Sequence, residues 1–256
     1  MNPNRTLRAA AALLLLASAP LRAEVPPIEI HQVLALREPG DKTVALTLDA
    51  CGGTYDAALL QNLIDQRIPA TIFATRLWIN RNPAAVATLR EHPELFDVEN
   101  HGARHLPPVI GRSVYNIPGS PDLAHVRAEV AGGGEAVERA MGTKPRWYRG
   151  ATALYDLEAL RAIEAMGYRI AGFSVNADEG ATLHRQQIVA RLAHVKSGDI
   201  IIAHMNRPAS DTGPGLAIGL RALREEGFRF VTLRDSEVRL TPETERHIAA
   251  AAKTAR

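Results

Sequence analysis

The sequence has little cysteine and no long apolar run. Cys51 is its only cysteine, so no disulfide can form within the chain and stability must come from a hydrophobic core. No stretch reaches the roughly 20 apolar residues of a transmembrane helix. A phosphate-binding loop is also absent, because the glycines at residues 132–134 are not followed by Lys-Ser/Thr. These glycines predict a flexible or broken helix instead.

A large excess of charge is missing as well. The formal net charge is +2, but Arg5, Arg8 and Arg22 contribute three positive charges before the first acidic residue, Glu24. Without that segment the net charge is −1. The basic character therefore belongs partly to the N-terminus and gives no reason to expect nucleic acid as a partner.

The N-terminus has the pattern of a secretory signal peptide. Two arginines precede an apolar run at residues 9–17, and a Leu-Arg-Ala segment that ends at residue 23 offers small or apolar residues before a cleavage point. We predict a signal peptide at residues 1–23, a periplasmic or secreted protein, and no stable membrane insertion after cleavage. A retained anchor is the alternative, which the shortness of the run disfavours.

The rest of the chain alternates between two patterns. Short apolar runs predict buried parallel strands at residues 43–48, 70–74, 95–98, 170–175, 199–203 and 228–233. Helical spacing of apolar residues predicts helices at residues 55–67, 83–91, 123–141, 157–166, 186–193 and 216–226. The alternation predicts a single α/β domain at residues 24–240, with a helix-covered parallel sheet that is open or closed into a barrel. Residues 241–256 are expected to form a terminal helix or a frayed end.

Reactive side chains follow five predicted strands, one of which is a short candidate strand at residues 145–148. Because parallel strands end at one edge of a sheet or barrel, we expect these side chains to share one site at that edge. A loop at residues 106–121, rich in proline and glycine, is predicted to lie over the same edge. The strand-end residues are Asp49, His101, Arg149, Asn176 with Asp178, and His204.

Two histidines, His101 and His105, lie four residues apart. Neutral imidazoles at this spacing fall on one side of a helical turn and can bind one metal ion. The spacing alone is weak, because the chain contains nine histidines. Together with the strand-end residues it predicts a metal-dependent hydrolase.

These segments resemble the polysaccharide deacetylase family, the carbohydrate esterases that include chitin, peptidoglycan and acetylxylan deacetylases. The family motif T-F-D-D-G corresponds to T-L-D-A-C at residues 47–51, and H-S/T-x-x-H corresponds to residues 101–105. R-x-P-x-Y corresponds to the segment from residue 149, and an apolar strand that ends in histidine corresponds to residues 200–204. The motifs keep their order over residues 43–233. The resemblance implies the family fold, a distorted and incomplete (β/α) barrel.

The resemblance also implies catalytic roles. Asp49 corresponds to the general base, and Arg149 corresponds to the arginine that orients it. His204 corresponds to the general acid, and its acidic partner is expected to be Asp178 rather than Asn176. A base that takes a proton from water and an acid that protonates the leaving group are what amide or ester hydrolysis requires.

His101 and His105 correspond to the metal-binding pair of the family. The expected metal is a divalent ion, Zn²⁺ in the first place, with Co²⁺, Ni²⁺ or Mn²⁺ as alternatives. The expected substrate is an acetylated polysaccharide or oligosaccharide, most plausibly a polymer of N-acetyl amino sugars. The pattern leaves the oligomeric state open.

The chain departs from the family at the third metal ligand, the second Asp of T-F-D-D-G. Ala50 stands at that position and Cys51 follows it. Catalytic zinc sites usually have three protein ligands, so a third must come from elsewhere. Asp49 could be both base and ligand, Cys51 could bind as a thiolate, or Glu99 could reach the metal. We favour Asp49 and expect Cys51 to be a small residue packed under the turn.

The third motif is also altered, because it lacks the proline and its tyrosine is shifted to Tyr155. In the family a backbone N–H of this segment helps to bind the tetrahedral oxyanion, and Gly150 or Thr152 could present that donor. Trp147, Tyr155 and Asn206 are the candidate substrate contacts. Core packing is the alternative for Trp147, and a turn that ends the strand is the alternative for Asn206.

The function predicted from the sequence is therefore an exported metal-dependent deacetylase of a glycan. A noncatalytic glycan-binding module that lost the full metal site is one alternative. A metal-free amidohydrolase that acts on a small substrate with a C–N bond is the other, which the retained histidine pair disfavours.

Overall fold

The computed structural model describes residues 25–36, 38 and 40–254, so the predicted signal peptide lies outside the described residues. The strands in chain order are β1 (Ile28–Glu29), β2 (Gln32–Leu34), β3 (Thr43–Ala50), β4 (Ala70–Ala74), β5 (Phe96–Asn100), β6 (Ser113–Val114), β7 (Ile117–Pro118), β8 (Trp147–Tyr148), β9 (Leu154–Tyr155), β10 (Arg169–Ile170), β11 (Val175–Asn176), β12 (Ile200–His204), β13 (Arg229–Val231) and β14 (Val238–Leu240). The helices are α1 (Ala57–Asp65), α2 (Arg76–Arg81), α3 (Pro83–Glu91), α4 (Leu123–Met141), α5 (Leu157–Ala165), α6 (Arg185–Leu192), α7 (Thr212–Glu225) and α8 (Pro242–Thr254), with a 3₁₀ turn at Ala151–Ala153.

A curled parallel sheet forms the centre of the domain. β3 pairs with β12 on one side and with β4 and β13 on the other. The sheet continues from β4 through β5 and β8 to β10, and from β12 to β11, and all of these pairs are parallel. Every residue of β3 is buried, because helices cover one face and the other face lies inside the curl. The prediction of a single α/β domain with a distorted (β/α) barrel is confirmed.

The sequence predicts one strand at residues 170–175, but the structure has two. β10 pairs with β8 and β11 pairs with β12, so the residues between them join the two ends of the sheet. The break lies at Gly172, where a Cβ would lie 2.1 Å from the carbonyl oxygen of Ile30. Gln32 bridges the break, because its side chain donates to the Ile170 carbonyl and accepts from the Gly172 N–H. The single-strand prediction was wrong because these long-range hydrogen bonds interrupt a continuous apolar run.

The helix α4 runs unbroken through residues 132–134, so the prediction of a flexible or broken helix was wrong. A Cβ on Gly133 would lie 2.2 Å from Asn100 Oδ1, and a Cβ on Gly134 would lie 2.0 Å from the hydroxyl of Tyr168. The glycines therefore let α4 approach the end of β5 closely. This close approach fixes the segment that carries His101.

Several elements have no counterpart in the sequence analysis. They are the six-residue helix α2 and three antiparallel pairs, β1 with β9, β2 with β14, and β6 with β7. Each is too short to show a period of apolar residues. The C-terminal segment forms α8, which packs Ala251 into a core cluster together with residues of α5. Among the described residues, no helix combines the length and the apolar character that crossing a membrane would require.

Candidate active site

The carboxyl ends of β3, β5, β8 and β12 meet around one cavity of about 870 Å³. Asp49, Cys51, His105 and His204 line this cavity. His101 is buried behind it, with its ring 5.0 Å from the ring of His105. Because parallel strands end at one edge of the sheet, side chains that lie up to 155 positions apart in the sequence come together here.

Asp49 and Arg149 form a buried ion pair. Arg149 Nη1 donates to Asp49 Oδ1 over 2.9 Å, and the arginine is fully buried. The same guanidinium donates to Thr47 Oγ1 and to the Gly172 carbonyl, each over 2.9 Å. It also lies 4.3 Å from the centre of the Phe73 ring. The arginine therefore fixes the carboxylate of Asp49 and binds the backbone at the break in the sheet.

His101 is oriented by its backbone contacts. Its Nδ1 lies 2.6 Å from the Arg149 carbonyl oxygen, which can only accept, so Nδ1 carries the proton. In the neutral imidazole Nε2 then keeps its lone pair, and it faces Cys51 Sγ at 3.5 Å and Asp49 Oδ2 at 3.7 Å. A ring nitrogen with this support is a typical metal ligand.

His105 lies on a turn that α4 holds in place. The carboxylate of the buried Glu129 accepts hydrogen bonds from the N–H groups of Arg104 and Leu106, on both sides of the histidine. His105 itself adopts a left-handed backbone conformation, with φ of 64°. Such a conformation is costly for a residue with a side chain, and the hydrogen bonds from Glu129 help to stabilise it.

His204 and Asp178 form a second pair at the cavity, where β12 places His204 in register with Asp49 of β3. His204 Nδ1 lies 2.9 Å from Asp178 Oδ1. The other carboxylate oxygen accepts from the His204 N–H and from the hydroxyl of Thr212, each over 2.9 Å. Asp178 is fully buried, so it holds the ring with Nε2 directed away from the carboxylate. Asn176 instead caps the turn before Glu179 through its Oδ1.

The charges of the site shift several pKa values. Burial raises the pKa of the Cys51 thiol, but the neighbouring His101, His105 and His204 lower it, and the net value lies well below the ordinary one. Burial lowers the pKa of His204, while Asp178 and Cys51 raise it, and the net value lies well above the ordinary one. Burial raises the pKa of the Asp49 carboxyl, but the charge of Arg149 lowers it. The net pKa lies below the ordinary value, so the carboxyl stays ionised at neutral pH.

The strand alternation decides which residue after Asp49 faces the site. Ala50 is fully buried in the cluster that joins β3 to the helices, on the same face as Leu46 and Leu48. Cys51, one position further, returns to the side of the cavity. Its partly buried thiol lies against the histidines, so the expectation that it packs under the turn is wrong.

The atoms that lie together as a ligand group belong to Cys51, His101 and His105. Asp49 is not in this group, although its Oδ2 lies 3.7 Å from His101 Nε2. The third alternative, Glu99, is wrong. Its carboxylate lies away from the ligand group and accepts hydrogen bonds from the backbone N–H groups of Arg146 and Trp147.

Two of the three predicted substrate contacts do not line the cavity. Trp147 is buried, with the guanidinium of Arg169 stacked 3.9 Å above its ring. Tyr155 is fully buried, and its hydroxyl accepts the N–H of Gly150 over 2.7 Å. Both predictions were therefore wrong, because the side chains are used to pack and to fix the chain after β8. Asn206 does line the cavity.

Two polar atoms in the cavity wall lack a partner among the described residues. They are Thr152 Oγ1 and Asn206 Oδ1, and both are buried. Thr152 also has a φ of 69°, which is unusual for a β-branched residue. Of the two oxyanion donors considered from the sequence, Gly150 is engaged by Tyr155, and Thr152 is the one at the cavity.

The sequence analysis missed Tyr115. This residue and Asn116 form the tip of the β6–β7 hairpin, with φ values of 50° and 61°. The side chain of Tyr115 is 71% exposed and lines the mouth of the cavity together with Ile117. The local sequence offers little signal for this hairpin, because Tyr-Asn is not one of the glycine-containing pairs that favour a two-residue turn.

Comparisons with known proteins agree with this geometry. The family model for polysaccharide deacetylases matches residues 36–171, more than half of the chain. No curated protein matches the sequence. The chain belongs to the polysaccharide deacetylase family, as its motifs predict.

Solved structures show the same fold at low identity. A CE4 family pseudoenzyme from Bacillus anthracis superposes with a TM-score of 0.61 at 19% identity, over 77% of this chain and 65% of the other. The acetyl xylan esterase of Clostridium thermocellum, solved with a cobalt ion, gives 0.61 at 21% identity, over 75% and 88%. The Bc1960 peptidoglycan N-acetylglucosamine deacetylase gives 0.62 at 18% identity, over 79% and 89%.

Proposed function

We propose that this protein is a metal-dependent hydrolase that removes acetyl groups from a glycan, with a polymer of N-acetyl amino sugars as the favoured substrate. The observation that carries the proposal is the presence of two charge-paired groups at one cavity. Arg149 holds Asp49 and Asp178 holds His204, and Asp49, His204 and His105 line the same cavity.

The donor set fits a divalent metal ion. Two imidazoles and a sulfur offer ligand atoms that all lie within 4.8 Å of one another. His101 presents Nε2 as a free lone pair because Nδ1 donates to the Arg149 carbonyl. When bound, such an ion polarises an acyl carbonyl and makes water more acidic. The family membership and the cobalt-bound relative support the same assignment.

The chain's own residues supply the proton transfers. Asp49 is ionised beside Arg149 and takes a proton from the attacking water. His204 is held by Asp178, has a pKa raised well above its ordinary value, and gives its proton to the leaving amine or sugar oxygen. The two groups lie on the neighbouring strands β3 and β12 and line the same cavity.

The reaction also requires stabilisation of the oxyanion and binding of the sugar, and residues of the cavity wall can supply both. The Thr152 segment can direct a backbone N–H at the oxyanion that develops on the acetyl carbonyl. Thr152 Oγ1 and Asn206 Oδ1 can bond to the hydroxyl and amide groups of a sugar. Such groups would pair the buried polar atoms that the protein leaves unpaired.

The test is acetate release from a panel of acetylated glycans by the purified protein, with and without added Zn²⁺ or Co²⁺. We expect metal-dependent release, and a drop of about 10²–10⁴ in rate for His204→Ala with unchanged metal content. Arg146→Met, a change at an exposed residue outside the cavity, is the matched control and should keep full activity.

A noncatalytic glycan-binding module is the second candidate, favoured by the resemblance in fold to a pseudoenzyme. It predicts folded protein that binds acetylated oligosaccharides but releases no acetate with any metal. A direct binding measurement beside the acetate assay separates the two functions. A metal-free amidohydrolase would instead release product after complete removal of metal.

We also propose that the chain is exported, on the basis of the pattern in residues 1–23. Expression of the full chain and N-terminal sequencing of the protein recovered from the cell envelope or the medium tests this. Cleavage after residue 23 is expected. Full-length protein that stays with the cytoplasmic fraction would contradict the proposal.

A further inference from the structure

We infer that Cys51 binds the metal as a thiolate and is the third protein ligand, in place of the carboxylate that the family uses. This inference rests on the proposed metal-dependent function. It reverses the expectation from the sequence, which favoured Asp49 for this role. Three protein ligands and one open position are typical of a catalytic zinc site.

The distance between sulfur and nitrogen fits a shared ion. Cys51 Sγ lies 3.5 Å from His101 Nε2. Two ligands of one tetrahedral zinc, with bonds of about 2.3 Å to sulfur and about 2.0–2.1 Å to nitrogen, lie about 3.6 Å apart. His105 completes the group, with all ligand atoms within 4.8 Å of one another.

The alternation of β3 explains why position 51 can replace position 50. The side chain of Ala50 is fully buried in the apolar cluster against the helices, so this chain offers no ligand atom from position 50. Cys51 lies beyond the last residue of the strand and lines the cavity. Its carbonyl accepts the Thr75 hydroxyl over 2.7 Å, which fixes the backbone at the point where the side chain turns inwards.

The inference also separates two roles that the sequence analysis gave to one residue. Asp49 Oδ1 is bound to Arg149 at 2.9 Å, so a ligand role for Asp49 would compete with its role as base. With sulfur as the ligand, the carboxylate stays available to water. A thiolate also favours zinc and cobalt over manganese and magnesium, because soft ligands prefer those ions.

The test uses cobalt spectroscopy, because a thiolate bound to Co²⁺ gives a charge-transfer band in the near ultraviolet. Cys51 is the only cysteine, so any such band belongs to it. We expect the band at one equivalent of Co²⁺ in the wild type and its loss in Cys51→Ser. Bound metal should also slow alkylation of the thiol by iodoacetamide at least about tenfold, since the sulfur lone pair is then engaged.

Two variants control the experiment. Cys51→Ser combined with Ala87→Cys keeps one thiol but moves it to the exposed side of α3. It should show no band and no protection by metal. Cys51→Asp supplies a carboxylate at the same position, and we expect it to bind metal without the band and to shift selectivity towards Mn²⁺. Circular dichroism of each variant shows whether it folds.

Stoichiometric Co²⁺ without the band, or alkylation that metal does not slow, would overturn the inference while leaving the proposed deacetylase intact. A protein that binds no metal but releases acetate, and that accumulates a thioester on Cys51, would overturn both and make the thiol the nucleophile. Metal binding with the band but without acetate release from any glycan would support the ligand and contradict the proposed function.

Discussion

Replacing Arg149 by methionine tests whether the buried ion pair is a structural centre of the barrel. The guanidinium is fully buried and makes charged or polar contacts with Asp49, Thr47 and the carbonyl of Gly172, each over 2.9 Å. Methionine fills much of the volume but leaves the Asp49 carboxylate buried without its cation. Removal of one partner of a buried pair typically costs about 3–5 kcal/mol. Folded domains are stable by about 5–15 kcal/mol, so the loss should be a large fraction of the whole.

The assay is urea unfolding of Arg149→Met, of Asp49→Asn and of the double variant. Part of the loss comes from the uncompensated carboxylate, so Asp49→Asn should recover about 1–3 kcal/mol in the Arg149→Met background. The carbonyl of Gly172 stays without its donor, so recovery should be incomplete. Arg146→Met, on the exposed surface, should change stability by less than about 0.5 kcal/mol.

The pH dependence gives an independent check. In the wild type the pKa of Asp49 is lowered by Arg149, so its contribution to stability is lost as pH falls through the folded-state pKa. In Arg149→Met that pKa should rise, and the deficit relative to the wild type should shrink as pH falls. A loss below about 1 kcal/mol, or fully additive effects in the double variant, would refute the assigned ion pair.

Three further predictions concern other parts of the molecule. Asp178→Asn should lower the pKa of His204, because it removes the charged partner that raises this pKa. The alkaline limb of the pH profile of kcat/KM should therefore move to lower pH. A limb that does not move would contradict the role of His204 as the acid. Tyr115→Ala should raise KM for an acetylated oligosaccharide about 3–10-fold and leave a small acetyl ester unaffected, if the exposed ring stacks on a sugar. Burial, together with the charge of Asp97, raises the pKa of Glu99 from 4.5 to about 8, so wild-type stability should fall as pH rises through this range. Glu99→Gln keeps an acceptor for the two backbone N–H groups and should flatten that dependence in urea unfolding at pH about 5 and about 9.

The strand-end rule accounts for most of what the sequence could predict. The buried strands have continuous apolar runs, and the residue after each run had to lie at one edge of the sheet. Asp49, His101, Arg149, Asp178 and His204 do lie there. Their catalytic and ligand roles stay predictions, because position alone does not show which proton each group moves.

The failures have a common physical cause. The break at Gly172 depends on a side chain 140 positions away, which the local apolar pattern does not contain. The buried state of Trp147 and Tyr155 depends on Arg169 and Gly150, partners that their own sequence positions do not reveal. The glycines of α4 looked like helix breakers, but they serve the close contact with Asn100. In each case a tertiary contact outweighed a local preference.

The altered motif shows how a substitution that looks like a loss can preserve a site. As a sequence motif, T-L-D-A-C lacks the second carboxylate, and this absence favours the alternative of a noncatalytic glycan-binding module. In three dimensions the alternation of the strand directs Ala50 into the helix layer and returns Cys51 to the histidines. In the proposed site the metal-binding donor is a sulfur in place of an oxygen and is shifted by one position, while Asp49 with Arg149 and His204 with Asp178 stay paired beside it.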